Sequence, residues 1–147
     1  LTMEKSFHMM VFRVFQSQRN QIRPRMHEIG LSTGQPKILL YVRDHENCRL
    51  KDVAAYCDIK PATTSRIIEK LLEGGFLTRT LPKDDRRAMC LQITDEGKTA
   101  LEQWIGCCHE AEEMMLENFS EEERRQFFSF LSRAYDNLNQ SKGGEIA

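Results

Sequence analysis

The residues best suited by type and spacing to do chemistry fall in two short runs near the middle of the chain. Lys60, Pro61, Ala62, Thr63, Ser65, Arg66 and Lys70 gather small residues, hydroxyls and cations in one segment. Small side chains let a backbone approach a surface closely, and hydroxyls bond base edges or phosphates. An arginine can pair with guanine O6 and N7 through two parallel bonds, or clamp a phosphate. The second run holds Lys83, Asp85, Arg86 and Arg87. Cations concentrated on a narrow tip suit a minor groove or a phosphate row, and a carboxylate two residues before Arg87 could hold that guanidinium in one orientation. A third cluster, Cys107-Cys108-His109-Glu110 with Glu112 and Glu113, has the atoms of a metal site. Neighbouring residues on a helix point about 100° apart, so these side chains cannot meet one ion without help from His8, His27 or a second subunit. Neither a metal nor any other cofactor is expected.

The first two runs need elements to hold them. Lys51 to Cys57 reads as a short helix, Asp58-Ile59-Lys60 as a tight turn, and Pro61 as the first-turn residue of a helix that ends at Glu73 before Gly74-Gly75. Two short helices so joined form a helix-turn-helix, whose second helix should lie in a major groove. On that helix Thr64, Ile67, Ile68, Leu71 and Leu72 share a core face; Ala62, Arg66, Glu69, Lys70 and Glu73 point away, with Thr63 and Ser65 on the flanks. Phe76 to Leu81 and Ala88 to Thr94 read as strands of a hairpin with a charged tip, Pro82 to Arg87. Ahead of this, Glu4 to about Met26 is an amphipathic helix that Pro24 should kink or end. Ser32-Thr33-Gly34-Gln35 has capping-box spacing and opens a second helix to about His45. Behind it, helices run from Asp95 to about Asn118, and from Ser120, with Glu123 three residues on, to about Leu138.

The expected fold is therefore mainly α with a small β-hairpin wing: a winged helix-turn-helix with N- and C-terminal dimerisation helices. Residues 1–147 are expected to form a single domain, with a DNA-binding lobe at about 33–94, dimerisation helices at about 4–30 and 95–139, and a flexible tail at 140–147.

Composition agrees with a folded domain, with 40% hydrophobic and 29% charged residues. The net charge of −1 conceals a polarity. Residues 49–90 hold nine Lys/Arg against six Asp/Glu, whereas residues 94–140 hold four against eleven, so the basic part is the middle. No apolar run approaches the roughly eighteen residues needed to cross a bilayer, and the start has no signal-peptide pattern, so a cytoplasmic protein without membrane contact is expected. Five cysteines without regular spacing suggest reduced thiols, and Cys57 belongs to the expected core. There is no phosphate-binding glycine loop, nucleophile elbow or framed carboxylate pair, so no enzyme is expected. A redox enzyme using the Cys-Cys-His cluster and a winged-helix module that binds protein are distant alternatives.

Four segments, in unbroken order, resemble the MarR-type winged-helix regulators of bacteria and archaea. They are Thr63-Thr64-Ser65-Arg66-Ile67-Ile68-Glu69-Lys70-Leu71, Gly75-Phe76-Leu77-Thr78-Arg79, Asp84-Asp85-Arg86-Arg87 and Leu91-Gln92-Ile93-Thr94-Asp95-Glu96-Gly97-Lys98. The resemblance spans about Glu4 to Leu138. It implies a homodimer held by the first and last two helices, binding a pseudo-palindromic double-stranded DNA operator and usually repressing neighbouring genes. It also implies that Arg87 enters the minor groove, that Asp85 braces it, and that the Pro61–Glu73 helix reads the major groove.

Apolar stripes at both ends independently favour a dimer: Phe7, Met10, Val11 and Phe15 in the first helix; Phe127, Phe128, Phe130, Leu131, Tyr135 and Leu138 in the last. A single recognition helix would also make too few base contacts for genomic specificity. For the signal, the resemblance implies an aromatic or amphipathic anion held between the dimer helices and the DNA-binding lobe, with Arg13, Arg19, Arg23, His27 and Tyr41 as candidates. A thiol- or metal-responsive regulator using Cys107, Cys108 and His109 is the alternative. The first helix lacks the cysteine that peroxide-sensing relatives carry there.

Overall fold

The computed structural model describes residues 3–81 and 89–143. The chain forms two compact units, Leu1–Ala111 and Glu112–Ala147.

In the first unit, a 3-10 turn at Met3–Lys5 precedes α1, Phe7–Ile29. The Ser6 hydroxyl caps α1 by accepting the Met9 amide at 3.2 Å. Pro24 does not end the helix. Its ring removes the bond to the Asn20 carbonyl, but both residues are exposed and water can serve that oxygen. Beyond Pro24 the helix is anchored by buried Met26 and closes where the Gly30 amide donates to His27 and the Leu31 amide to Met26.

The second helix, α2, is Gln35–Asp44, and its cap is Gly34 in a left-handed conformation rather than Ser32. Half of the expected capping box survives, because the Gln35 carboxamide oxygen still accepts the Ser32 amide at 2.8 Å. Next come α3, Leu50–Cys57, and α4, Pro61–Glu73, joined by Asp58-Ile59-Lys60. Strands β1, Leu77–Thr80, and β2, Cys90–Ile93, pair antiparallel with Leu77 opposite Ile93 and Thr80 opposite Cys90. An unanticipated bridge from Cys48 to Leu91 ties the loop after α2 to this hairpin. Helix α5, Asp95–Met115, follows directly. The core joins Leu31, Ile38, Leu39 and Val42 to Val53, Ile68, Leu71, Leu77, Leu91 and Leu101.

The strand-to-helix junction locks three elements together. The Thr94 hydroxyl accepts the Gly97 amide at 3.0 Å, capping α5, and donates to the Gly75 carbonyl at 2.6 Å. The Thr94 amide donates to the Phe76 carbonyl at 3.1 Å. Gly75, with φ 78°, makes this possible by reversing the chain after α4, where the Phe76 amide donates to Leu71 and the Gly75 amide to Leu72. At Gly97 the requirement is space: a Cβ there would stand 2.2 Å from the Phe76 carbonyl oxygen.

In the second unit, α6 spans Glu121–Gly143. The expected capping box is complete: the Ser120 amide donates to the Glu123 carboxylate at 2.8 Å and the Glu123 amide to the Ser120 hydroxyl at 3.1 Å. Hydrogen bonds to the carboxylate from Ser120, its backbone amide first and its side chain second, hold the Glu123 carboxyl below its ordinary value, so the cap weakens as pH falls through that lowered value. Arg124 pairs with Glu113 at 2.9 Å and donates to the Leu116 carbonyl at 3.2 Å. Phe127, expected on the outer stripe, packs edge-on against Phe119 with ring centres 6.0 Å apart. Among the described residues, no helix is long and apolar enough to cross a membrane.

Thr94→Val should lower stability by about 1–2 kcal/mol, the usual loss for a cap, and Thr94→Ser should recover most of it. Gly97→Ala should cost about 1–3 kcal/mol through overpacking. Urea denaturation midpoints of the purified variants check both values.

Candidate nucleic-acid interface

The geometry of α4 follows from its sequence. Pro61 fills a first-turn position where no amide bond is lost, and the Thr64 hydroxyl donates to the Lys60 carbonyl at 3.1 Å, so a polar residue is buried without an orphaned group. Thr64, Ile68 and Leu71 are buried, with Ile67 and Leu72 half-buried beside them. Lys60, Pro61, Ala62, Arg66, Glu69, Lys70 and Glu73 are exposed on the other side, and Thr63 and Ser65 are half-buried on the flanks. The anticipated reading face is therefore assembled along one helix.

The turn ahead of α4 is held from both sides. Asp58 adopts a left-handed conformation with φ 54°, and the Ile59 amide closes on the Ala54 carbonyl at 3.3 Å. From α2, the Lys37 ammonium donates to the Cys57 carbonyl at 3.3 Å, serving the C-terminal end of α3. An ion pair between Arg79 of β1 and Glu69 of α4 ties the hairpin to the reading helix. Sequence reasoning missed it, because nothing in the spacing joins residues ten apart on different elements. Lys83, Asp85, Arg86 and Arg87 lie outside the described residues; the strand ends Thr80 and Cys90, paired with each other, are where their segment leaves and rejoins the hairpin.

A separate cleft of about 380 Å³ lies within the first unit. Gln18, Arg19, Ile22, Arg23 and Met26 line it from α1, Pro36, Lys37 and Leu40 from α2, Thr33 and Gly34 from the loop, and Trp104 from α5. Of the residues anticipated for an effector, Arg19 and Arg23 are here. Arg13 and His27 are exposed elsewhere on α1 and do not line it. Tyr41 instead stacks on His45, ring centres 4.1 Å apart, and approaches Tyr56 at 4.8 Å. Burial is the largest cause raising its hydroxyl pKa, with nearby Asp52 adding to it. Lys37 and Trp104 were missed. A row at 18, 19, 22, 23 and 26 on one face of α1 was the readable signal.

Cys48 lies near Cys90, where its loop bridges to Leu91. Cys48, Cys57 and Cys107 are buried, and Cys90 and Cys108 half-buried. Burial pushes the Cys48 and Cys57 thiols up, away from the reactive thiolate; for Cys57 the nearby Lys37 charge partly opposes this. Cys107 is buried while His109 and Glu110 are exposed, and Glu110 is engaged by Arg25. No group of three or more potential metal ligands is found among the described residues.

A helix-turn-helix whose second helix exposes a polar face carrying Arg66 and Lys70, followed by an antiparallel hairpin, defines a winged-helix DNA-binding protein. The MarR family profile matches residues 31–89. The transcriptional repressor YetL of Bacillus subtilis is 30% identical over 112 residues, covering 75% of this chain and 67% of YetL. The chain belongs to the MarR family and is a DNA-binding transcriptional regulator, not an enzyme. Solved structures share its fold at low identity. The S. aureus MepR–DNA complex has a TM-score of 0.78 at 16% identity, covering 93% of this chain and 99% of MepR. Bordetella bronchiseptica BpsR, described with regulation of its DNA binding by 6-hydroxynicotinic acid, has a TM-score of 0.77 at 20% identity, covering 92% and 97%.

In the folded protein, Cys48 and Cys57 should resist iodoacetamide at pH 8, while Cys90 and Cys108 label first. Peptide mapping before and after unfolding in urea checks the order.

Proposed function

We propose that the chain is a homodimeric repressor of a pseudo-palindromic operator, released when an amphipathic anion occupies the cleft lined by Trp104. The exposed face of α4 carries this reading: Ala62 lets the backbone approach, and Arg66 and Lys70 supply cations, while the opposite stripe is fixed in the core. In this reading α4 enters the major groove, with Lys60, Pro61, Thr63 and Ser65 at its edge. Lys83, Arg86 and Arg87 reach the minor groove, where Asp85 orients Arg87.

Exposed apolar residues support a dimer. On α1, Phe7 is 83% exposed, and Met10, Val11 and Phe15 are exposed with it; on α6, Phe128, Phe130, Leu131, Tyr135 and Leu138 are all exposed. A second copy would cover both stripes and set two recognition helices about one turn of duplex apart. A soluble chain acting on DNA would then work in the cytoplasm.

For the effector, Arg19, Arg23 and Lys37 supply positive charge around Ile22, Met26, Leu40 and Trp104. That combination suits an aromatic carboxylate: the ring against apolar walls, the charge against guanidinium or ammonium. The BpsR structure, described with regulation by 6-hydroxynicotinic acid, favours the same reading.

Arg66→Ala should weaken binding to a selected operator 10- to 100-fold, equivalent to about 1–3 kcal/mol, with the dimer intact by sedimentation. Unchanged affinity in fluorescence anisotropy would remove α4 from the reading role. The chain has a single tryptophan, so Trp104 fluorescence reports the cleft directly. Titration with benzoate and its hydroxylated analogues should change the emission of the wild type, and Lys37→Ala should weaken that response roughly 10-fold.

A further inference from the structure

A carboxylate sits among the reading residues of α4. Glu69 lies three residues after Arg66 and seven after Ala62, so the helical repeat sets it in the exposed row that holds both. A free carboxylate in that row has two consequences in a groove: it repels the phosphates on either side, and it accepts from the N4 amino group of cytosine. Glu73 shares the row but closes the helix, beyond the N-terminal turns that a recognition helix presents to base edges.

The Glu69 carboxylate is not free. Arg79 of β1 pairs with it, and the second terminal nitrogen of the same guanidinium donates to the Met89 sulfur, 3.8 Å away and just ahead of β2. The strand repeat explains the reach of Arg79. Alternate residues of a strand share a face, so Arg79 lies on the side of buried Leu77 and opposite Leu91, the side that joins Ile68 and Leu71 of α4 in the core. Both partners remain partly in water, so the pair adds little stability. What it fixes is the direction of Glu69, toward the hairpin. A duplex reinforces that direction, because its phosphates drive the carboxylate toward a cation already beside it.

We infer that Arg79 is a positioning residue for base selection: by holding Glu69 to the hairpin it removes a cytosine-accepting group from the reading face and leaves base choice to Thr63, Ser65 and Arg66. This rests on the DNA-reading role of α4 given above. It goes past that role by naming a residue of the hairpin strand that touches no base yet sets which bases the helix accepts.

Selection of duplexes from a randomised pool by the full-length protein tests it. Arg79→Gln releases the carboxylate. Binding to every duplex should weaken, but cytosine should gain about 10-fold over the other bases at one position of each half-site, beside the one that Arg66 contacts. Adding Glu69→Gln to that variant should erase the gain, and Glu69→Gln alone should keep the wild-type ranking of bases. A purely structural pair moves none of these preferences. If Arg79→Gln weakens all duplexes by one factor with the ranking unchanged, the pair only braces the hairpin, and the inference is wrong while reading by α4 stands. A changed ranking in Glu69→Gln alone means that Glu69 already reads a base in the wild type, and overturns it equally. Should Arg79→Gln fail to fold, Arg79→Lys keeps the charge but loses the fork; it should give a smaller gain for cytosine at the same position, and no gain overturns the inference. A wild type that selects no sequence from the pool overturns the inference together with the reading beneath it.

Discussion

The architecture turns on one hydroxyl group. Thr94 donates to the carbonyl of Gly75 and accepts the amide of Gly97, so the end of the reading helix, the root of the hairpin and the start of α5 meet at one side chain. Neither glycine is interchangeable there. One supplies a positive φ after α4, and the other allows the Phe76 carbonyl to come within reach of the α5 backbone. A small domain with a two-stranded sheet has little area to fix the angle between a helix and a hairpin. Hydrogen bonds at the corner, with the Arg79–Glu69 pair further out, provide that constraint where burial cannot. The exposed pair adds little energy but restricts orientation.

Around this corner the chemistry is sorted by face. The buried stripe of α4 makes it part of the core, and the opposite face presents Arg66 and Lys70 with small residues, beside Glu69, which pairs with Arg79, and Glu73. The acidic surplus of residues 94–140 lies along α5 and α6, away in sequence from α4. A net charge near zero is thus compatible with DNA binding, because a duplex responds to local fields over about a Debye length.

Much of this was legible from residues. The limits of α4, the Asp58-Ile59-Lys60 turn, the hairpin and the Ser120–Glu123 box follow from local rules about proline, glycine and capping, and the structure agrees with them. The departures arise where tertiary context outweighs local preference. Pro24 lies inside α1 because its face is exposed and the helix is anchored beyond it. Gly34 displaces Ser32 as a cap because Gln35 is drawn into the interior. Phe127 turns to Phe119 although its spacing matched an outer stripe. The cleft was the least legible. Lys37 and Trp104 lie 67 positions apart and meet only through the packing of α2 and α5 against α1, whereas Tyr41, chosen for its type, is claimed by His45 and Tyr56.

Lys37, in the first turns of α2, lines the cleft beside Trp104 while serving the carbonyl of Cys57 at the end of α3. Lys37 has a single ammonium group, and drawing it toward an anion leaves the helix before the turn without that donor. On the proposed effector reading, occupancy of that cleft and alignment of the reading helix are terms in one thermodynamic cycle. Reciprocity then requires that DNA weaken the small molecule by the same factor by which the small molecule weakens DNA. A protein held on its operator would for that reason be a less sensitive detector than the same protein free in solution.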